Sequence, residues 1–198
     1  MKRKTKIFLG LHIFITCIWT FLVITNLIEP IDTIVYESLM KFRTNNLTSI
    51  VKVITQVGGP LVLITLAVLS LFSKDKKYPK LIISNLVLSF GINQILKRVI
   101  RRSRPNILRL TTESGFSYPS GHSMVSICFY GLIIYLLYKS NIKYKKIYIS
   151  ILSIFILVIG ISRIYLGVHY FSDIIGGYLF GLLYLFIFIN CSNKLLKK

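Results

Sequence analysis

Acidic residues are scarce in this chain. Six Asp and Glu face 25 Lys and Arg over 198 residues, which leaves a formal net charge of +19. Cysteine is scarce as well. Cys17, Cys128 and Cys191 lie in or at the edge of apolar segments with no CxxC or metal-type spacing. They read as small hydrophobes, neither disulfide partners nor ligands, and indicate no redox compartment. Internal repeats, low-complexity tracts and linkers are missing too, so nothing marks a second domain.

On a soluble protein the surplus of cations would suggest nucleic acid. Here 54% of the residues are hydrophobic, more apolar surface than a soluble domain of this length can hide, and the cations fall in short clusters between long apolar runs. A bilayer is itself an apolar solvent, so the pattern excludes a nucleic-acid partner and implies bilayer lipids instead. Six segments approach the roughly 20 residues that a spanning helix needs: 7–28, 49–72, 81–100, 122–138, 147–168 and 171–191. Gly58-Gly59-Pro60 marks a kink or break in the second. The first follows Lys2, Arg3, Lys4 and Lys6, but it is longer than a signal core and lacks a small-x-small cleavage site before Glu29, so it reads as a retained helix. The expected fold class is all-α, an integral membrane bundle of six transmembrane helices forming one domain over residues 1–198.

Lysines cluster in the N-terminus, in the second connection (Lys74, Lys76, Lys77, Lys80), in the fourth (Lys139, Lys143, Lys145, Lys146) and in the C-terminus (Lys194, Lys197, Lys198). With six spans these four regions share one side, which the positive-inside rule makes the cytoplasmic side of the cell membrane. The opposite side holds 29–46, mixed in charge with room for an amphipathic stretch, and the third connection, 101–121. Arg98, Arg101, Arg102, Arg104 and Arg109 crowd onto that side against the rule. A need for positive charge explains them, although for Arg98, Arg102 and Arg109 contact with anionic headgroups is the plainer reading.

Three constellations fall on this same extracytoplasmic side. Lys97 is followed seven residues later by Arg104-Pro105. On a helix that spacing puts Lys97, Arg101 and Arg104 on one face, about 10 Å from first to last, with Pro105 ending the helix. Snorkelling cations at a helix end share the spacing. Pro119-Ser120-Gly121-His122 precedes an apolar run, so Ser120 suits an N-cap, the Gly121 amide can meet an anion, and His122 falls in the first turn. An ordinary capped helix looks alike. Ser162-Arg163 is followed by His169 and, four residues on, by Asp173. If the last helix starts at or before His169, the carboxylate can hold one imidazole nitrogen and leave the other nucleophilic. Left in lipid, Lys97, Arg104, Arg163 and Asp173 would cost roughly 10 kcal/mol or more, so they must lie at the interface or face a wet polar cavity. Three cations, two histidines and a carboxylate there form a metal-free site for a phosphate dianion.

These constellations, K-x6-R-P, P-S-G-H and S-R-x5-H-x3-D in this order, resemble the signature of the type 2 phosphatidic acid phosphatase family, whose site is shared with vanadium haloperoxidases. Within the family the chain looks like the small bacterial six-helix lipid phosphatases, acting on phosphatidylglycerophosphate, phosphatidic acid or undecaprenyl diphosphate. The resemblance implies that His169 attacks phosphorus to form a phosphohistidine, that Asp173 orients it, and that His122 protonates the leaving oxygen and then activates water. It implies that Lys97, Arg104, Arg163, Ser120 and the Gly121 amide hold the phosphate, with no cofactor. A lipid phosphotransferase would carry the same motifs. A non-catalytic lipid-binding or transport protein would not be expected to keep the full set. Glu113 and Tyr118 read as parts of a solvated loop, and Tyr165 and Tyr170 as members of an interfacial belt.

Overall fold

The computed structural model describes residues 3–106 and 108–196; Lys2, Lys197 and Lys198 of the charge pattern lie outside them, as do the side chains of Lys4 and Lys194. Among the described residues the architecture is all-α, in eight α-helices. They are α1 (Arg3–Ile24), α2 (Glu29–Met40), α3 (Asn45–Gln56), α4 (Pro60–Leu69), α5 (Lys77–Ile100), α6 (Gly121–Lys139), α7 (Lys145–Tyr165) and α8 (Phe171–Leu196). A single 3-10 turn, Ser70–Phe72, prolongs α4.

Five helices are long and apolar enough to cross a membrane: α1 from Thr5, α5, α6, α7 and α8 up to Ser192. The remaining expected span, the second, is broken. α3 and α4 pass the same test only as a pair, bent by 41°. The break falls at the predicted Gly58-Gly59-Pro60, where Pro60 opens α4 and Gly59 sits extended before it. Ahead of that break, Thr44 caps α3 by accepting from the Leu47 amide at 3.2 Å. The first apolar run also stops early: α1 ends at Ile24, and the amphipathic stretch expected in 29–46 is a separate helix, α2, with Glu29 and Asp32 in its first turn, where the helix dipole favours acids.

α6 is the centre of the bundle, packed against α5, α7 and α8. Its Val125 and Phe129 join Leu63 of α4 and Ile156 and Ile159 of α7 in one buried cluster, while Leu132 joins Leu81 of α5 and Leu185 and Phe188 of α8 in another. The outward faces stay apolar, with Phe72 83% and Leu61 75% exposed to whatever surrounds the bundle. Water would make that surface a large liability, and lipid removes it.

Glycines let the chain close where the three motifs meet. A Cβ on Gly177 of α8 would lie 2.9 Å from the Ser120 carbonyl and from Ser123 Cβ, so the absence of a side chain brings α8 onto the first turn of α6. Gly167, between α7 and α8, has φ +73°, and a Cβ there would lie 2.6 Å from the Leu108 carbonyl. The same turn is tied to the third connection by the Leu110 amide, which donates to Leu166 O at 2.9 Å. Gly167→Ala should therefore destabilise the folded protein by about 1–2 kcal/mol or more, read as a melting temperature several degrees lower in detergent. An unchanged melting temperature would contradict this account of the turn.

Candidate functional site

Lys97 sits buried in the last turn of α5, its ammonium donating to Phe116 O at 2.5 Å and Ser117 O at 3.2 Å. The expectation that Lys97, Arg101 and Arg104 share a helical face fails. α5 ends at Ile100 because Arg101 turns left-handed, φ 54°, and its guanidinium folds back onto Arg98 O at 2.9 Å, away from the site. Arg104 reaches the site by another route, on the non-helical connection between α5 and α6. Its guanidinium is fastened to the carbonyls of Gly115 (3.0 Å), Ser114 (2.9 Å) and Val168 (2.9 Å). Three backbone acceptors fix the planar fork more tightly than a helix face would have done.

Ser120 is the N-cap of α6, as the tetrapeptide suggests, its hydroxyl accepting from the Ser123 amide at 3.4 Å. Gly121 and His122 follow in the first turn and both line the cavity described below. Ser120 does not line it. It is fully buried, its hydroxyl shared with that of Ser123 at 3.1 Å and its amide donated to Asp173 O at 3.0 Å. That last bond ties the start of α6 to the start of α8.

His169 lies in the turn before α8, which begins at Phe171 and not at or before the histidine. The predicted pairing survives this difference. Asp173, in the first turn of α8, reaches back: its Oδ2 accepts from the Tyr170 amide at 2.9 Å and stands 3.2 Å from His169 Nδ1. This is the reciprocal half of a capping box, in which an acid at the third helical residue satisfies the amide just outside the helix. On the other edge of the ring, Arg104 stands 3.2 Å from Nε2. A guanidinium can only donate, so Nε2 carries the lone pair and Nδ1 carries the proton given to Asp173. Burial, and then the cations Lys97, Arg104 and Arg163, hold the His169 pKa well below its ordinary value.

Arg163 is almost fully buried near the end of α7, held by Thr55 Oγ1 of α3 at 3.0 Å and by an ion pair with Glu113. Glu113 also lies 3.8 Å from Arg104, so the solvated loop expected there is instead a carboxylate bridging two arginines of the site. Tyr118, expected in the same loop, is fully buried against Val23 and Phe180, its hydroxyl 3.0 Å from Thr20 Oγ1, and burial pushes its phenol up to about 12. Arg109 stays exposed and bonds only within its own segment, to Pro105 O at 2.7 Å.

Arg102 is the clearest correction. It does not face headgroups. It donates to Asp173 Oδ1 and Ser172 Oγ, both at 2.7 Å, and to Asp32 Oδ2 at 2.8 Å, with its guanidinium carbon 4.1 Å from the centre of the Tyr170 ring. Tyr170 thus packs on an arginine, and Tyr165 bonds Thr48 at 3.0 Å with its carbonyl held by Arg43 at 2.7 Å; neither is merely part of a belt. Asp32 escaped the sequence reading altogether. The available signal was a cluster of three acids, Glu29, Asp32 and Glu37, in a chain with only six, placed on the side of the arginines.

Lys97, Arg98, Arg104, Glu113, Gly121, His122 and His169 line one cavity of about 670 Å³. It continues past Asn93 and Gln94 along Leu63 and Ile64 of α4, Leu86, Val87 and Phe90 of α5, and Val125 of α6. One end is cationic and the remainder apolar, the shape that an anionic head on a hydrocarbon body requires. Asp173 stands behind His169, outside the lining. Among the described residues no group of three or more His, Cys, Asp or Glu is arranged to hold a metal ion.

Comparison with known proteins shows the family and the fold. The family model of the PAP2 superfamily matches residues 79–197, which contain all three motifs. Phosphatidylglycerophosphatase B of Bacillus subtilis (strain 168) is 34% identical over 181 residues, covering 86% of this chain and 88% of that protein. The crystal structure of a transmembrane PAP2-type phosphatidylglycerolphosphate phosphatase from Bacillus subtilis superposes with a TM-score of 0.85 at 30% identity, over 94% of this chain and 96% of the other. Aquifex aeolicus LpxE, at 24% identity and a TM-score of 0.63 over 78% of this chain and 92% of its own, shares the fold.

The lowered pKa has a sign that can be checked. Followed by NMR of isotope-labelled histidine in detergent, the His169 ring should stay neutral, with its proton on Nδ1, down through about pH 6, below the ordinary midpoint of about 6.5. A midpoint at or above that ordinary value would contradict the field described.

Proposed function

The chain belongs to the PAP2 superfamily, and from that premise we propose that its cavity releases phosphate from a membrane lipid through a phosphohistidine on His169. The chain is a multi-pass membrane lipid phosphatase, similar to phosphatidylglycerophosphatase B. The observation that carries the finer reading is the state of one ring: Nε2 of His169 bears a lone pair at the wall of a cationic cavity, while Asp173 holds the Nδ1 proton.

In the first step Nε2 attacks phosphorus, an N–P bond forms and the P–O bond to the lipid breaks. His122, on the cavity wall formed by α6, gives its proton to the leaving oxygen. In the second step His122 takes a proton from water as the water oxygen attacks phosphorus, and the N–P bond breaks to release inorganic phosphate. Lys97, Arg104 and Arg163 stabilise the equatorial oxygens, and Gly121 lets the substrate approach the start of α6. Ser120 acts by fixing that start, since its hydroxyl is spent on the cap. Because three fixed cations supply the charge, no metal is needed.

The apolar part of the cavity supports a lipid whose chains lie along α4 and α5 with its phosphate at Lys97 and Arg104. Phosphatidylglycerophosphate is the first candidate, because the relative that spans nearly the whole chain is named for it. The termini and the lysine-rich connections face the cytoplasm, and the site faces the extracytoplasmic side of the cell membrane.

Phosphate release from phosphatidylglycerophosphate in detergent should persist in EDTA and fall by roughly 10³-fold or more in His169→Ala. Activity retained in that variant would remove the covalent mechanism, and loss of activity in EDTA would remove the metal-free one. Cysteine introduced beside the exposed Arg109 should label from outside intact cells with a membrane-impermeant maleimide; labelling only after lysis would reverse the topology.

A further inference from the structure

The carboxylate behind His169 is itself held from behind. Asp173 offers Oδ2 to the histidine and Oδ1 to Arg102 at 2.7 Å, and Arg102 passes on to Asp32 of α2 at 2.8 Å. Asp32 is 1% exposed and Asp173 not at all. Asp32 also holds the first turn of α8 from another helix: its Oδ1 accepts from the Ser172 amide at 2.7 Å and its Oδ2 from the Ser172 hydroxyl at 2.6 Å. Trp19 of α1 donates to Ser172 O at 3.0 Å from the other side. The first turn of α8, which carries Asp173, is therefore seated by side chains from α1, α2 and the connection after α5.

We infer that Asp32 and Arg102 are positioning residues for the reaction at His169, acting through Asp173 without touching substrate. The inference rests on the proposed role of His169. Geometry supplies one half of it. A carboxylate can rotate about its Cβ–Cγ bond, and Arg102, gripping Oδ1, leaves Oδ2 as the single acceptor for Nδ1. Charge supplies the other half. Arg102 alone beside Asp173 would cancel the negative charge that a phosphorylated, positively charged imidazole needs next to it. Asp32, on the far side of the guanidinium, returns that charge, so the array of Asp32, Arg102 and Asp173 keeps one net negative charge facing His169. An aromatic ring, Tyr170, closes the remaining face of the guanidinium and keeps water from relaxing it.

The test uses the full-length protein in detergent, with Asp32→Asn and Arg102→Gln. Asparagine keeps an oxygen for the Ser172 amide, and with the charge it removes the acceptor that Oδ2 offers to Arg102 and the Ser172 hydroxyl. Each variant should lose roughly ten- to hundredfold in kcat with KM within about twofold of wild type, the pattern of a misplaced group that does not bind substrate. The acid limb of the kcat/KM profile separates this from a structural role. His169 is faced by Lys97 of α5, by Arg102, Arg104 and Glu113 of the connection, by His122 of α6, by Arg163 of α7, by Asp173 of α8 and, through Arg102, by Asp32 of α2. Removing the Asp32 charge should shift the limb to lower pH, and removing the Arg102 charge should shift it to higher pH, each by roughly half a unit or more. Wild-type profiles in both variants would overturn the inference. So would an activity loss that only follows the amount of folded, monodisperse protein, because a merely structural contact behaves that way. Turnover retained by His169→Ala would instead sink the reading beneath it, which keeps the two failures apart.

Discussion

The buried carboxylate of Asp173 is the interaction on which the rest of the site depends. A fully buried charge is tolerated only when its lone pairs are taken, and here the Tyr170 amide, His169 Nδ1 and Arg102 take them. The partners come from two parts of the chain: His169 and Tyr170 from the turn before α8, and Arg102 from the connection after α5. The backbone of the same residue receives the Ser120 amide, which brings in the start of α6. The carboxylate thus ties the third motif to the connection after α5, the backbone of the same residue ties in the second, and the small residues between α6 and α8 let the helices come close enough for it to happen.

Much of this was legible in the sequence, and the reasons are specific. Apolar runs report spans because lipid demands about 20 residues, and Pro60 after two glycines reports a break because proline cannot continue a ladder of hydrogen bonds. The motif residues were legible because charge is expensive next to lipid, so cations at Lys97, Arg104 and Arg163 needed a reason. Local periodicity failed where the backbone left the helix. Lys97 and Arg104 converge, but through a left-handed residue at Arg101 and a connection held by carbonyls, and no spacing rule contains that path. His169 and Asp173 pair across a helix start, not along a helix face.

What the sequence could not reveal was partnership across long separations. Arg102 and Arg109 are both arginines of the same connection, seven residues apart, and composition treats them alike. One is locked among two carboxylates and an aromatic ring, and the other is exposed and bonds its own loop. The difference is set by Asp32, 70 residues upstream on a helix that hydropathy alone assigns to the surface. Glu113 is the same kind of case. In sequence it is a polar residue in a polar loop, and in the fold it is the counter-ion of Arg163 and a neighbour of Arg104.

Counting charges in place, not along the chain, explains how the two halves of the site divide their work. Behind His169, Asp32 and Asp173 flank Arg102 and leave one negative charge against the ring. In front of it, Lys97, Arg98 and Arg104 line the cavity, with Glu113 as the one acid of the lining and Arg163 paired to it, so this face is net positive. A phosphate monoester dianion brings the charge that this face is missing. The negative array behind would draw a positive imidazole, and the positive array in front would draw the transferring group. His169 lies where the two meet, with negative charge behind its ring and positive charge in front of it. In a bilayer such a field cannot be left to solvent, because little water is available to supply or screen it. It has to be built from fixed side chains, and the scarce acidic residues of this chain are spent on that: of its six, three stand within this one network.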